Sequence, residues 1–463
     1  MLAKLNSYWR EDNNFTICYT SDGEIQDCEL FRSGVFNLAV TIASRPEKNW
    51  LLYEEDPFKF IQGFFALQLL KRKVIICANG APAWLALIAD EFDAVLSDTL
   101  RVEGKSLQRI TCVGPKEVLA SSTLVPTPCL DGTESLVFFT SGSTGKPKAI
   151  HKCLAVLLNE VETLENLFGP TLKNSCVLSS VSHNHIYGFL FGLLWPMLSQ
   201  RCWINRRIEF HEQLVEIHCD QLEELVFISS PAFLSRLDNR MLVGSVSACF
   251  SSGGPLSYRS ARASKQCFGQ LPVEVYGSTE TGGIGYRQQR TPDTMWCPFP
   301  GIELAILKGK ANLRSPYVLD AAGNAVPTLL DDRIEIGTCG SFQLLGRYDR
   351  VVKVEGKRIS LDEIEQYLES FDTIERCVIT QVPGKRQVLG CAYVLSKEGV
   401  LQLHAEGSQA QVKAWKIHMR QRFEAVTIPR KWRRLAEIPV NTQNKINMSA
   451  VQQYFHSSST AKQ

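Results

Sequence analysis

No stretch of this 463-residue chain is apolar for long enough to cross a bilayer. The longest greasy run, residues 186–198, is 13 residues and contains glycine and proline, whereas a span needs about 20 apolar residues. The start, MLAKLNSYWREDNNF, lacks the apolar core of an export signal. Excess charge is missing too. The formal net charge is +2, which gives no reason to expect nucleic acid or an acidic membrane surface as a partner. The 15 cysteines include no CxxC pair and their number is odd, so reduced, buried thiols in a cytoplasmic protein are expected. There is no internal repeat, and the one low-complexity tract is the polar tail after His456, expected to be disordered. What remains is ordinary globular composition, 44% hydrophobic and 21% charged. The length suggests roughly two to four domains or subdomains.

Against that background one string stands out. Residues 136–148 read LVFFTSGSTGKPK. The four apolar residues from Leu136 to Phe139 read as a short buried strand. The chain then turns through Thr140, Ser141, Gly142, Ser143, Thr144 and Gly145, with Lys146 and Lys148 at the far end. Glycine lets backbone N–H groups approach an anion closely. Hydroxyls donate hydrogen bonds, and lysine adds a point charge. The composition suits phosphate, although such a loop taken alone is as often a flexible turn. It is not the P-loop of the NTPases, which has four residues between its glycines and a Ser or Thr after the lysine. Here two residues separate Gly142 from Gly145, and Pro147 follows Lys146.

Helix and buried strand alternate on both sides of this string. Phe60, Phe64, Phe65 and Leu69 have helical spacing within residues 57–72, residues 73–78 read as a strand, and residues 82–90 as another helix. This order argues for an α/β fold with a parallel sheet. An amphipathic helix is expected over 154–168 and a strand over 176–180, followed by SHNHIYG at 182–188. His183 and His185 are spaced like metal ligands, but no cysteine or carboxylate lies nearby to complete a site. The greasy run from Ile186 onward reads as a core helix or part of an acyl pocket. A strand ending at Phe250 opens into Gly253, Gly254 and Pro255. Such a turn lets a flat ligand lie against backbone, or simply leads into a helix.

Residues 276–280 read YGSTE. Tyr276 offers an aromatic face to a base, Thr279 a hydroxyl to phosphate, and Glu280 a hard carboxylate oxygen to Mg²⁺. Gly282, Gly283 and Gly285 follow, either to leave room for a bulky group or to make a tight loop. Short strands flank Asp332 and lead to Gly346-Arg347-Tyr348-Asp349. Beyond lies a compositionally distinct unit. It has two strands around a turn at Gly356, a capping box from Ser360 to Glu363, strands over 376–381 and 388–394, a helix over 409–423, and PVNTQNKI at 439–446.

Taken in order, these strings resemble the adenylate-forming (AMP-binding) superfamily of acyl-CoA synthetases, luciferases and peptide-synthetase adenylation domains, over about residues 50–455. The resemblance implies a large N-terminal domain, residues 1–348, of layered α/β subdomains with mostly parallel sheets plus a small β segment. A small mobile α+β domain, residues 349–463, would follow a hinge at Asp349. It implies that Thr140 to Gly145, with Lys148, hold the ATP phosphates. Gly253, Gly254, Pro255, Tyr276 and Gly277 would border adenine, and Asp332 and Arg347 would take the ribose. His185, three residues before Gly188, would stand on the wall between the ATP and acyl pockets. Thr279 would meet phosphate and Glu280 would hold Mg²⁺. Lys445 stands where the family keeps its adenylation lysine, after Asn444 in place of a glycine. Lys353 and Gly356 belong to the strand-turn that lines the pantetheine tunnel in the thioester step. Two further departures are Leu330-Asp331 in place of Thr-Gly before Asp332, and a shorter region ahead of the phosphate loop.

The implied activity is ATP-dependent conversion of a fatty or aryl carboxylic acid to an acyl adenylate, with release of pyrophosphate. Transfer to the thiol of CoA, or of phosphopantetheine on a separate carrier protein, would follow. No carrier-domain helix follows Lys445, so a stand-alone ligase is expected. A non-thiol acceptor and a non-catalytic nucleotide-binding role are the alternatives. The chemistry asks mostly for positioned positive charge, because the nucleophile is already ionised and must approach a polyanion.

Overall fold

The structure is a computed structural model that describes residues 1–10, 14–100, 111–113, 129–141, 147–216, 224–237, 246–320, 322–354, 357–382, 388–440 and 446–456. The chain divides into two compact units, Met1–Glu303 with Arg314–Pro327, and Leu304–Leu313 with Thr328–Gln463. The second unit therefore takes in residues 328–348 as well as the stretch after Asp349.

Two sheets organise the first unit. One has nine strands, and its central members Val273–Ser278, Ala248–Ser251, Leu225–Ser229, Cys176–Ser179, Trp203–Arg207 and Thr16–Tyr19 run parallel. Antiparallel strands close it at both edges. The other has six strands in the order Thr111–Val113, Ala94–Leu96, Asn49–Leu52, Lys73–Cys77, Ser135–Ser141 and Pro147–Cys153, with only the last antiparallel. Parallel strands need covered faces, and their near-continuous apolar runs supply them.

Helix Pro57–Leu69 starts where Asp56 accepts from the N–H groups of Phe58 and Lys59 and proline occupies the first turn. Its Phe60 and Phe64 are wholly buried and meet Phe189, at ring-centroid separations of 5.6 and 4.8 Å. Phe189 belongs to the greasy run, which is helical throughout: Ile186–Phe189, a π-turn Leu190–Leu194, then Trp195–Leu198. It is a buried core helix, and among the described residues no helix is long and apolar enough to cross a membrane.

The second unit holds a three-stranded sheet, Glu303–Leu307, Lys310–Arg314 and Thr328–Leu329, and two hairpins, Asp332–Ile336 with Phe342–Arg347 and Val351–Val354 with Lys357–Ser360. A last sheet of Ile374–Val382, Val388–Leu395 and Lys431–Arg434 packs on helices Leu361–Glu369 and Ser408–Met419 through Ile364, Leu368, Ile379, Tyr393 and Trp415. The serine half of the capping box forms, with Glu363 N–H donating to Ser360 Oγ at 3.3 Å, while the Glu363 carboxylate takes Arg422 at 3.2 Å. The helix expected over 409–423 runs Ser408–Met419, and a helix not anticipated from the sequence, Lys397–Glu406, precedes it. The fold is thus α/β followed by α+β, as expected.

Candidate active site

Strand Ser135–Ser141 is the buried strand anticipated at the phosphate string, and Leu136 to Phe139 are at most 5% exposed. It pairs in parallel with Lys73–Cys77 and antiparallel with Pro147–Cys153. The register sets Thr140 opposite Lys148 and Ser141 opposite Pro147. Gly142, Ser143, Thr144 and Gly145 lie outside the described residues. Alternation along Pro147–Cys153 puts Lys148, Ile150 and Lys152 on one face.

That face meets the YGSTE string. Lys148 Nζ lies 3.0 Å from Glu280 Oε1. Lys152 Nζ donates to the Glu280 carbonyl oxygen at 3.0 Å and to that of Tyr317 at 2.9 Å. Burial is the largest influence on the Glu280 carboxyl and opposes its ionisation, but the hydrogen bond and charge of Lys148, its own main-chain N–H and the Ser278 hydroxyl together outweigh burial and hold the pKa below its ordinary value. Glu280 therefore presents an ionised, half-exposed hard oxygen, which fits a Mg²⁺ ligand.

Tyr276, Gly277 and Ser278 are on strand Val273–Ser278, not in a turn, and Thr279 is 5% exposed. The Tyr276 ring is half-buried beside Trp296, with centroids 5.8 Å apart. The glycine cluster forms neither a loop nor an open space. Gly282–Arg287 is a strand antiparallel to Val273–Ser278, with Gly277 opposite Gly283. A Cβ on Gly277 would stand 2.3 Å from the Gly282 carbonyl oxygen, so the close pairing itself demands glycine there. Gly253, Gly254 and Pro255 are exposed beyond the end of strand Ala248–Ser251.

The two histidines do different work. His183 is buried, and its Nε2 is 2.8 Å from the Glu54 carbonyl oxygen, so that nitrogen carries the proton. Burial pushes its pKa down to about 4. Asn184 Nδ2 donates to the same carbonyl at 2.7 Å. His185 is the N-cap of helix Ile186–Phe189, where its Nδ1 accepts from Tyr187 N–H. Among the described residues no group of three or more His, Cys, Asp or Glu is placed to hold a metal.

In the second unit Asp332 and Arg347 are cross-strand partners, which explains their spacing in sequence. The Arg347 guanidinium binds Asp349 through two contacts of 2.9 Å and reaches Asp331 at 3.4 Å. This hydrogen bonding lowers the Asp349 carboxyl below its ordinary pKa. In the backbone register of the next hairpin Lys353 stands opposite Arg358. Gly356 and Lys445 lie outside the described residues.

The profile of the AMP-binding enzyme family matches residues 65–317, more than half of the chain. The chain belongs to that family. It is 26% identical over 298 residues to a 4-coumarate–CoA ligase of Halorhodospira halophila, a match covering 64% of this chain and 66% of that protein. The chain thus spans just under two thirds of that relative's length. A putative long chain fatty acid-CoA ligase VraA of Staphylococcus haemolyticus is 23% identical over 455 residues, covering 93% of this chain and 90% of that protein. Among solved structures, ATP-bound MatB from Rhodopseudomonas palustris superposes with a TM-score of 0.80 at 16% identity, covering 99% of each chain. That likeness establishes the fold of this AMP-binding enzyme.

Several residues around Glu280 escaped the sequence reading. Glu160, on helix Leu154–Phe168, accepts from Gly283 N–H at 2.7 Å, and burial pushes its carboxyl pKa up. Ser315 Oγ donates to the Thr281 carbonyl at 3.1 Å, and Tyr317 OH donates to Thr163 Oγ1 at 2.8 Å. A readable signal existed for one of them. Glu160 falls on the apolar stripe made by Leu157, Val161 and Leu164, where a carboxylate needs a partner.

Proposed function

We propose that this AMP-binding enzyme joins a carboxylic acid to ATP, releasing pyrophosphate, and passes the acyl group from the adenylate to a thiol of CoA or of a carrier protein. The observation that carries the reading is the 3.0 Å pair between Lys148 and Glu280. It joins the end of the phosphate string to the end of the YGSTE string, 132 residues away in sequence. A cation suited to phosphate and a carboxylate suited to Mg²⁺ are therefore neighbours.

In this reading the hydroxyls and backbone N–H groups from Thr140 to Gly145 hold the β- and γ-phosphates. Lys148 exchanges Glu280 for a phosphate oxygen when nucleotide arrives. Glu280 would hold Mg²⁺, which would supply charge neutralisation for the departing pyrophosphate. Tyr276 lies along the base, while Asp332 accepts from the ribose hydroxyls and Arg347 supports it. Lys445 places its ammonium on the attacking carboxylate and the α-phosphate, and leaves when the small domain turns about Asp349. Fixed charge in a site of reduced dielectric provides most of the rate, since no proton has to be moved in the first step. Among the described residues no disulfide joins the cysteines whose side chains are placed, which suits a reducing, cytoplasmic setting.

Pyrophosphate exchange into ATP, run against a panel of aliphatic and aromatic acids, tests the reading. Exchange that requires one class of acid supports it. No exchange with any acid, or exchange without acid, overturns it. Product trapping with CoA against a holo carrier protein then identifies the acceptor.

A further inference from the structure

The turn that carries Glu280 is pinned by hydrogen bonds from its own residues and from distant segments. Ser278 N–H donates to Thr281 Oγ1, Thr281 N–H donates to Ser278 Oγ, and the two hydroxyls bond each other, at 3.0 to 3.2 Å. Ser315 holds the Thr281 carbonyl and Glu160 holds the Gly283 N–H. Lys152 holds the Glu280 carbonyl, and the same ammonium ties it to that of Tyr317.

Lys152 is unusual for a lysine. Its side chain is half-buried, and desolvation lowers its pKa, with Glu160 and Glu280 only partly compensating. A lysine on an edge strand would ordinarily turn its head to water, where an ammonium is best solvated. Here it spends its hydrogen bonds on two carbonyl oxygens from distant segments, 128 and 165 residues along the chain. Lys148, four residues earlier on the same strand face, takes the carboxylate of the same glutamate. One strand therefore grips Glu280 by its main chain and by its side chain.

We propose that Lys152 is a positioning residue for metal binding, fixing the main chain of Glu280 so that its carboxylate is directed to Mg²⁺·ATP. The proposal rests on the function proposed above. Groups that orient a metal ligand typically govern affinity by about 10- to 100-fold when removed. Lys152→Met keeps the length of the side chain and removes the ammonium.

The test measures the metal requirement of Lys152→Met in acid-dependent pyrophosphate exchange, together with Mn²⁺ binding in the presence of ATP by electron paramagnetic resonance. The expected result is a metal half-saturation raised at least about tenfold in both measurements, with the KM for the acid unchanged. A folded variant with wild-type metal half-saturation overturns the proposal. Lys152→Arg decides the matter if the methionine variant does not fold. It keeps a cation but lengthens the reach, so a smaller rise supports the proposal and wild-type metal binding refutes it. Failure of the function itself would look different, because the wild-type protein would then show no acid-dependent exchange.

Discussion

Replacing Glu54 by glutamine should stabilise the protein, by an amount that grows with pH. The Glu54 carboxyl is 1% exposed, accepts from Asp98 N–H through Oε1, and has no hydrogen-bond partner at Oε2. Burial pushes its pKa up to about 7, although the Asp98 N–H pulls the other way. Between its ordinary pKa of 4.5 and about 7 the folded chain keeps a proton that the unfolded chain releases. Wild-type stability therefore falls as pH rises through this window. A difference of roughly 2.5 pH units, at about 1.4 kcal/mol each, makes the loss about 3 kcal/mol. Glutamine keeps an acceptor for Asp98 and has no proton to lose. Glu54→Gln should accordingly gain about 3 kcal/mol over wild type on going from about pH 4.5 to about pH 7.5.

His183, which donates to the Glu54 carbonyl, has the opposite dependence. It is held neutral, with a pKa of about 4 against an ordinary 6.5. The unfolded chain takes up its proton first on acidification, so stability falls as pH drops from 6.5 towards 4. In the wild type the two slopes offset each other across the shared window. In Glu54→Gln the histidine slope stands uncovered, and the variant should lose stability on acidification more steeply than wild type. Urea unfolding followed by tryptophan fluorescence at several pH values measures this difference. A gap between variant and wild type constant to within about 0.5 kcal/mol across the range would refute the reasoning.

Lys148→Met should leave stability almost intact, because the side chains of Lys148 and Glu280 are 59% and 37% exposed, and such pairs contribute about 0–1 kcal/mol. Its half-saturating ATP in pyrophosphate exchange should rise about tenfold, as loss of one charge-assisted phosphate contact does; unchanged ATP dependence, or a collapsed melting temperature, contradicts the assignment. Gly188→Ala would place a Cβ 2.1 Å from the Ser182 carbonyl oxygen and 3.1 Å from His183 N, both main chain and unable to swing aside. A loss of about 3 kcal/mol is expected from such overpacking, and a calorimetric melting temperature equal to wild type would exclude it. Lys445→Ala should abolish adenylation yet spare thioester formation from supplied acyl adenylate. Pyrophosphate exchange at the normal rate in that variant would show the lysine assignment to be mistaken.

Much of the architecture was readable because it depends on periodicity within one segment. The helix at Leu154–Phe168, the N-cap at Ser360 and the buried run from Ile186 are all set by spacing along a few turns. The interval between Asp332 and Arg347 likewise became a cross-strand pair in one hairpin. The glycines after Glu280 were harder to read. A glycine run looks alike in a loop and in two strands pressed together, and only the approach of Gly277 to Gly282 distinguishes them.

What the linear order determined by itself was the kind of chemistry: which hydroxyls, glycines, lysines and carboxylates exist, and on which local element each rides. Tertiary structure alone decided which of them meet. Lys152 finds the Glu280 carbonyl and His183 finds that of Glu54 across more than a hundred residues each. Main-chain carbonyls carry no mark in a sequence, since every residue has one. Which carbonyl a buried lysine or histidine satisfies depends on how the strands and helices pack, and the desolvation that shifts their proton equilibria arises only there.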